Sequence, residues 1–221
     1  MIEVSTSILN VEKGKEAETF LALEKSKTDY FHIDVMDGEF VEKNTYQNML
    51  EYSSYIRRIS NLPMDIHLMV KDIETGIEAF STMEPNIITF HLEACKNKEE
   101  VMRNINLIKE KGSRVGIAVK PETVIESVYE YLPYIHMCLV MTVEPGKGGQ
   151  TLITDMLSKI SELKTYIEKK NIEIDIEVDG GINLKTAQRV KDAGANVLVA
   201  GTAILMASDY KVIIDELKGI S

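Results

Sequence analysis

Two hydrophobic rhythms alternate along this chain. Short runs with an apolar residue at every second position, the mark of a strand, fall at residues 3–9, 30–36, 64–70, 86–93, 114–119, 136–143, 172–178 and 196–200. After each run, apolar positions spaced three and four apart predict a helix, at 11–27, 46–60, 73–83, 98–111, 122–132, 152–170, 183–193 and 208–217. Asn183 is suited to cap the seventh helix, and Gly112 and Gly194 stand where helices should stop. Pro121 closes the fifth strand and opens the helix that follows.

Eight strand–helix units with short connections imply parallel strands joined by right-handed crossovers, and eight is the number that closes a barrel. A doubly wound open sheet would carry a Gly-rich loop after its first strand, and none follows Leu9. The expected fold is therefore a (β/α)8 TIM barrel. No low-complexity tract, Pro/Gly/Ser linker or composition shift divides the chain, so residues 1–221 are expected to form one domain.

Alternation also assigns side chains to faces. In 31–38, Phe31, Ile33 and Val35 point one way while His32, Asp34 and Met36 point the other. The third strand repeats this grammar with Asp65, His67 and Met69 facing inward, and the seventh puts Asp175, Glu177 and Asp179 inward. An imidazole beside a carboxylate can be a plain hydrogen-bonded core pair. However, His32, Asp34, His67 and Asp179 all fall where barrel chemistry sits, at C-terminal strand ends, and two imidazoles with two carboxylates suit Zn²⁺ or a similar divalent ion.

A second signal comes late in the chain. Residues 144–150 (EPGKGGQ), Gly180-Gly181 and Gly201-Thr202 follow the sixth, seventh and eighth strands. One Gly pair is usually only a tight turn. Three clusters after consecutive strands instead suggest a phosphate cradle, where backbone N–H groups and a helix N-terminus approach an anion.

Composition narrows the partners. With 25 basic and 35 acidic residues the formal net charge is −10, which argues against nucleic acid and anionic membranes but leaves room for a small phosphate ester. No apolar run approaches a membrane span and residues 1–4 show no signal peptide, so a cytoplasmic location is expected. Cys95 and Cys138 have no metal-type spacing and are read as buried free thiols on different strands.

With these residues assembled, the chain resembles the ribulose-phosphate 3-epimerase family. The likeness runs nearly end to end, through residues 7–9, 32–38 (HIDVMDG), 65–70, 89–94, 141–146, 148–150, 177–182 (EVDGGI) and 200–204. It implies a barrel of the ribulose-phosphate-binding type, and His32, Asp34, His67 and Asp179 as ligands of a divalent metal. Zn²⁺ is the first choice; Fe²⁺, Mn²⁺ and Co²⁺ are also compatible with this donor set. It also implies that Asp34 and Asp179 double as the acid–base pair. Ser7, His67, Met36, Met69 and Met141 would contact substrate, and Gly148, Gly149, Gly181, Gly201 and Thr202 would hold its phosphate with Gly180 beside them. The expected reaction interconverts D-ribulose 5-phosphate and D-xylulose 5-phosphate, and the family is commonly homo-oligomeric.

Three departures bear on substrate choice. The usual Ala-Pro-Ser is Ser5-Thr-Ser7, the usual His-Phe-Val-Pro-Asn after MDG is residues 39–43 (EFVEK), and the usual Phe of the PGFGGQ loop is Lys147, read as a solvated loop lysine. A ketohexose phosphate, as in allulose-6-phosphate 3-epimerase, is the alternative substrate. A lyase of the related phosphate-binding barrels would place a lysine two residues after the strand-two Asp, where this chain has Met36. A catalytically idle sugar-phosphate binder is the third reading, and the retained carboxylates weigh against it.

Overall fold

In the computed structural model, which describes residues 1–220, all eight strands form and they close on one another. They are β1 (Glu3–Ser7), β2 (Tyr30–Met36), β3 (Met64–Met69), β4 (Ile87–His91), β5 (Arg114–Val119), β6 (Met137–Met141), β7 (Asp175–Asp179) and β8 (Val197–Ala200). Each pairs in parallel with the next, and β8 returns to pair with β1. The helices are α1 (Glu16–Lys25), α2 (Tyr46–Ile59), α3 (Ile73–Ser81), α4 (Lys98–Glu110), α5 (Met156–Lys170), α6 (Ala187–Ala193), α7 (Thr202–Leu205) and α8 (Tyr210–Lys218). The fold is the (β/α)8 barrel that the two rhythms predict.

The main core lies between strands and helices. Outward-facing Phe31, Ile33, Ile66, Leu68 and Phe90 are fully buried against Phe20, Phe80 and their helical neighbours. Inside the barrel, Ile87, Met137 and Val197, the first residues of β4, β6 and β8, plug the N-terminal end. Above this plug the interior is polar: Ser5, His32, Asp65, His67, Thr89 and Glu177 are all fully or almost fully buried. Space there is tight, and a Cβ on Gly116 would lie 2.1 Å from Thr89 Oγ1.

Several boundaries differ from expectation. The first helix starts at Glu16, not 11, because Gly14 takes a positive φ of 89° and its N–H is held by Glu16 Oε2. The helix expected at 122–132 is replaced by two 3-10 turns, Ile125–Val128 and Leu132–Tyr134. Lys159 Nζ of α5 binds the carbonyls of Lys120, Pro121 and Thr123 at 3.0, 2.7 and 2.6 Å, so those acceptors are turned to a side chain and away from an i+4 N–H. Asn183 makes a local turn with the Lys185 N–H, and α6 starts only at Ala187. The one-turn helix α7 lies in a stretch expected to be loop.

Cys138 is buried on β6; Cys95 is half-buried just past β4, off the strand that was expected to carry it, and both thiols are free. No helix among the described residues is long and apolar enough to cross a membrane.

Candidate active site

Strand register brings the predicted residues together. Asp34 on β2 lies directly beside His67 on β3, and Met36 beside Met69; Met141 on β6 lies beside Asp179 on β7. His32 Nε2 sits 3.4 Å from Asp34 Oδ1 and 3.9 Å from Asp179 Oδ2. His67 Nδ1 sits 3.4 and 3.7 Å from the same two oxygens. One ligand atom from each of the four residues falls within 4.8 Å of the other three.

The donor chemistry of this cluster fits a divalent cation. His32 Nε2 and His67 Nδ1 are buried nitrogens without a hydrogen-bond partner, and both face carboxylate oxygens. Orphaned buried polar atoms are costly unless something else satisfies them. The far edge of each ring is already committed. His32 Nδ1 lies 2.6 Å from Asp65 Oδ2, which also accepts from Ser5 Oγ, so its proton belongs on Nδ1 and the Nε2 lone pair faces the cluster. His67 Nε2 lies 2.9 Å from His91 Nε2. A second grouping of His32, Asp65 and Glu177 lies deeper, but it can use only the His32 nitrogen that Asp65 already holds.

The electrostatics split the carboxyls. Burial opposes charge on Asp34, but the His32 and His67 rings outweigh it and hold its pKa far below the usual carboxylate range. Its Oδ2 accepts from Ser7 Oγ at 2.7 Å, leaving Oδ1 for the imidazoles. Asp179 has no such donor, and burial together with the Asp34 charge pushes it up to about 7. Burial and the neighbouring Asp65 also raise Glu177 well above the usual carboxylate range. Burial works against a charge on His32, yet Asp65 and Asp34 raise its pKa well above the usual imidazole value. The site is short of positive charge, which either a proton or a metal ion can supply.

Above the cluster opens a cavity of about 280 Å³. Its walls include Ser7, Asp34, Met36, Met69, Met141 and Asp179. The predicted cradle, Gly148, Gly149, Gly180, Gly181, Gly201 and Thr202, lines it as well, with Gly201 against Ser7. His32 and His67 lie under this floor. A Cβ on Gly181 would meet the Leu152 backbone N at 2.4 Å, so only glycine allows that approach. Lys147 is exposed on the cavity wall, as a solvated loop lysine should be. The altered loop after Gly38 is well anchored: Asp37 accepts from the N–H groups of Glu39, Phe40 and Lys71, and Val41 packs where a Cβ on Gly146 would stand 3.1 Å away.

Some of the surroundings escaped the sequence reading. Asp65 and Glu177 were read as inward-facing without a role, and Asn10 lines the cavity with its amide against Gly148. His91 and Glu93 fall within the family likeness and repeat the His-x-acid spacing of His32 and Asp34.

Fold and site together define an enzyme of the β/α-barrel class, with two carboxyls of opposed acidity facing a pocket of small-molecule size. Comparison with known proteins gives the family. The ribulose-phosphate 3 epimerase family profile matches residues 3–205. The ribulose-phosphate 3-epimerase of Bacillus subtilis is 39% identical over 220 residues, covering 99% of both chains. That of Methanocaldococcus jannaschii is 37% identical over 218 residues, covering 99% of this chain and 90% of its own. Among solved structures, 3-hexulose-6-phosphate synthase from Salmonella typhimurium superposes with a TM-score of 0.69 at 14% identity, covering 99% of this chain and 98% of that one, a likeness of fold alone. The chain belongs to the ribulose-phosphate 3-epimerase family and is an isomerase of the epimerase type.

Proposed function

We propose that this enzyme is a metal-dependent ketose-phosphate 3-epimerase, with D-ribulose 5-phosphate and D-xylulose 5-phosphate as its substrate pair. The observation that carries the reading is the pairing of the two orphaned imidazole nitrogens with Asp34 and Asp179 beneath one cavity. His32 Nε2, His67 Nδ1, Asp34 and Asp179 would hold the cation, Zn²⁺ by our choice among the metals this donor set accepts. When bound, such a cation supplies positive charge next to the oxygens of the reacting centre and so favours loss of a weakly acidic proton there.

The chain's own residues do the rest. Asp34, held ionised, is the base on one face of the sugar and removes the proton from C3. The C–H electron pair becomes part of an enediolate. Asp179, raised above the usual carboxylate range by burial and the Asp34 charge, is the acid that returns a proton to C3 from the opposite face. The return reaction exchanges the two roles. Met36, Met69 and Met141, each no more than 2% exposed, present thioethers in place of water over the reacting carbon. Gly148, Gly149, Gly181, Gly201 and Thr202 receive the phosphate through backbone N–H groups, and Ser7 contacts the sugar while steadying Asp34.

Asp34→Asn and Asp179→Asn test the assignment. Each is expected to fold normally and to lose epimerisation by roughly 10²–10⁴-fold, the usual share of a positioned acid or base. Near-normal turnover in either variant would contradict it. Comparing kcat/KM on D-ribulose 5-phosphate and D-allulose 6-phosphate decides between pentose and hexose, with the pentose expected to be preferred.

A further inference from the structure

The floor of the site continues sideways, from β3 to β4 to β5, through groups that no step above employs. His67 Nε2 is 2.9 Å from His91 Nε2. His91 Nδ1 is 3.1 Å from Glu93 Oε2. The other oxygen, Glu93 Oε1, accepts from the Lys120 N–H at 2.7 Å and from the Thr123 hydroxyl. His67 and His91 are fully buried, their rings stacked with centroids 5.1 Å apart. Phe40, from the loop after β2, covers His91 at 4.9 Å, and Lys120 lies over the Phe40 ring.

Two nitrogens of neighbouring imidazoles at hydrogen-bond distance need one donor and one acceptor, and the far end of this file of side chains decides which is which. Burial opposes charge on Glu93, but the hydrogen bond from His91 and the other donors outweigh it and hold its pKa at about 2. An ionised carboxylate can only accept, so His91 carries its proton on Nδ1. His91 is fully buried, and a neutral ring whose one proton lies on Nδ1 has a bare Nε2 that must accept. His67 therefore donates from Nε2, and its Nδ1 lone pair points at Asp34 and Asp179.

We propose that Glu93, acting through His91, fixes the His67 tautomer, making both positioning residues that aim a bare nitrogen into the cation cluster. This rests on the cation reading given above, and it extends the control of a ligand to side chains two hydrogen bonds away. Outer partners of ligating histidines commonly matter in this way.

Glu93→Gln is the discriminating variant because it should reverse the file. The two donors at Oε1 select the amide oxygen there, which turns the NH₂ toward His91 Nδ1. His91 then donates from Nε2, and His67 is left with its proton on Nδ1, facing the cluster. The chain has only four histidines, so ¹⁵N-histidine labelling resolves each ring in chelator-treated protein at pH 8. Wild type is expected to show His67 protonated at Nε2 and bare at Nδ1, and Glu93→Gln the reverse. Zn²⁺ affinity, measured by chelator competition, should fall about 10–100-fold in Glu93→Gln.

His91→Phe, which keeps a ring but removes the acceptor, is the second variant; it should show mixed His67 tautomers and weakened Zn²⁺ binding. A His67 Nδ1–H in wild type would overturn the proposal, and that measurement needs no variant to fold. A folded variant with the wild-type tautomer and affinity would overturn it as well. Wild type that fails to bind Zn²⁺ or any of the competing metals would instead sink the cation reading, while the tautomer result stands by itself.

Discussion

The Ser7 hydroxyl donates to Asp34 Oδ2 at 2.7 Å, so one oxygen of the proposed base is pinned while the other faces two imidazoles. Residue 7 ends β1 and pairs with His32 on β2, which is why a serine three residues into the usual motif can reach that carboxylate. Ser7→Ala removes a hydrogen bond to a charged group, worth about 1.5–3 kcal/mol. The expected outcome is a kcat roughly 10–100-fold lower, with Tm lowered by roughly 3–12 °C. An unchanged kcat would show that Ser7 does not steady the base.

His91 is buried and neutral, with its pKa lowered by burial from 6.5 to about 4. The unfolded chain therefore binds more protons than the folded one between those values, and stability rises with pH. The contribution is fully present above pH 6.5 and is lost as pH falls through 4. A shift of this size corresponds to about 3 kcal/mol. Urea denaturation of chelator-treated protein should show this loss on acidification in wild type and a shallower slope in His91→Gln. Equal slopes would contradict it.

Lys159 gives the stretch after β5 its shape by binding three carbonyls. Burial lowers its pKa. Lys159→Met should cost about 2 kcal/mol, lowering Tm by roughly 4–8 °C for a chain of this size. Because Thr123 is in the same stretch and donates to Glu93, the variant should also loosen the grip on His91. A Tm within a degree of wild type would show that the stretch holds itself.

The barrel interior predicts a size-dependent pair. Thr89 Oγ1 is buried without a hydrogen-bond partner and stands where a Gly116 Cβ would go. Gly116→Ala should destabilise by about 1–3 kcal/mol through overpacking. In a Thr89→Ala background, where the hydroxyl and methyl are gone and only the Cβ at 2.9 Å remains, the same change should cost clearly less. Thermal unfolding of the four proteins gives the coupling, and strict additivity would contradict the steric account.

The proposed acid–base carboxyls and the two histidines proposed as ligands were legible in the sequence because strand alternation is strict. Once 30–36, 64–70 and 172–178 are strands, His32, Asp34, His67 and Asp179 must face inward. Glycines after the last three strands were legible for the same reason, since each follows a strand end directly. The missing helix after β5 was not, because its cause is Lys159, some forty residues further along. Nor was the role of His91 and Glu93. Their spacing repeats that of His32 and Asp34, but what each ring nitrogen does depends on contacts between β3, β4 and β5 that periodicity does not encode.

In the proposed reaction, two carboxyls on opposite faces pass different protons through C3. Epimerisation of D-ribulose 5-phosphate in D₂O, stopped at low conversion and read by NMR, tests it most directly. The account predicts deuterium at C3 of newly formed D-xylulose 5-phosphate. Product that retains the substrate's own C3 hydrogen would contradict it.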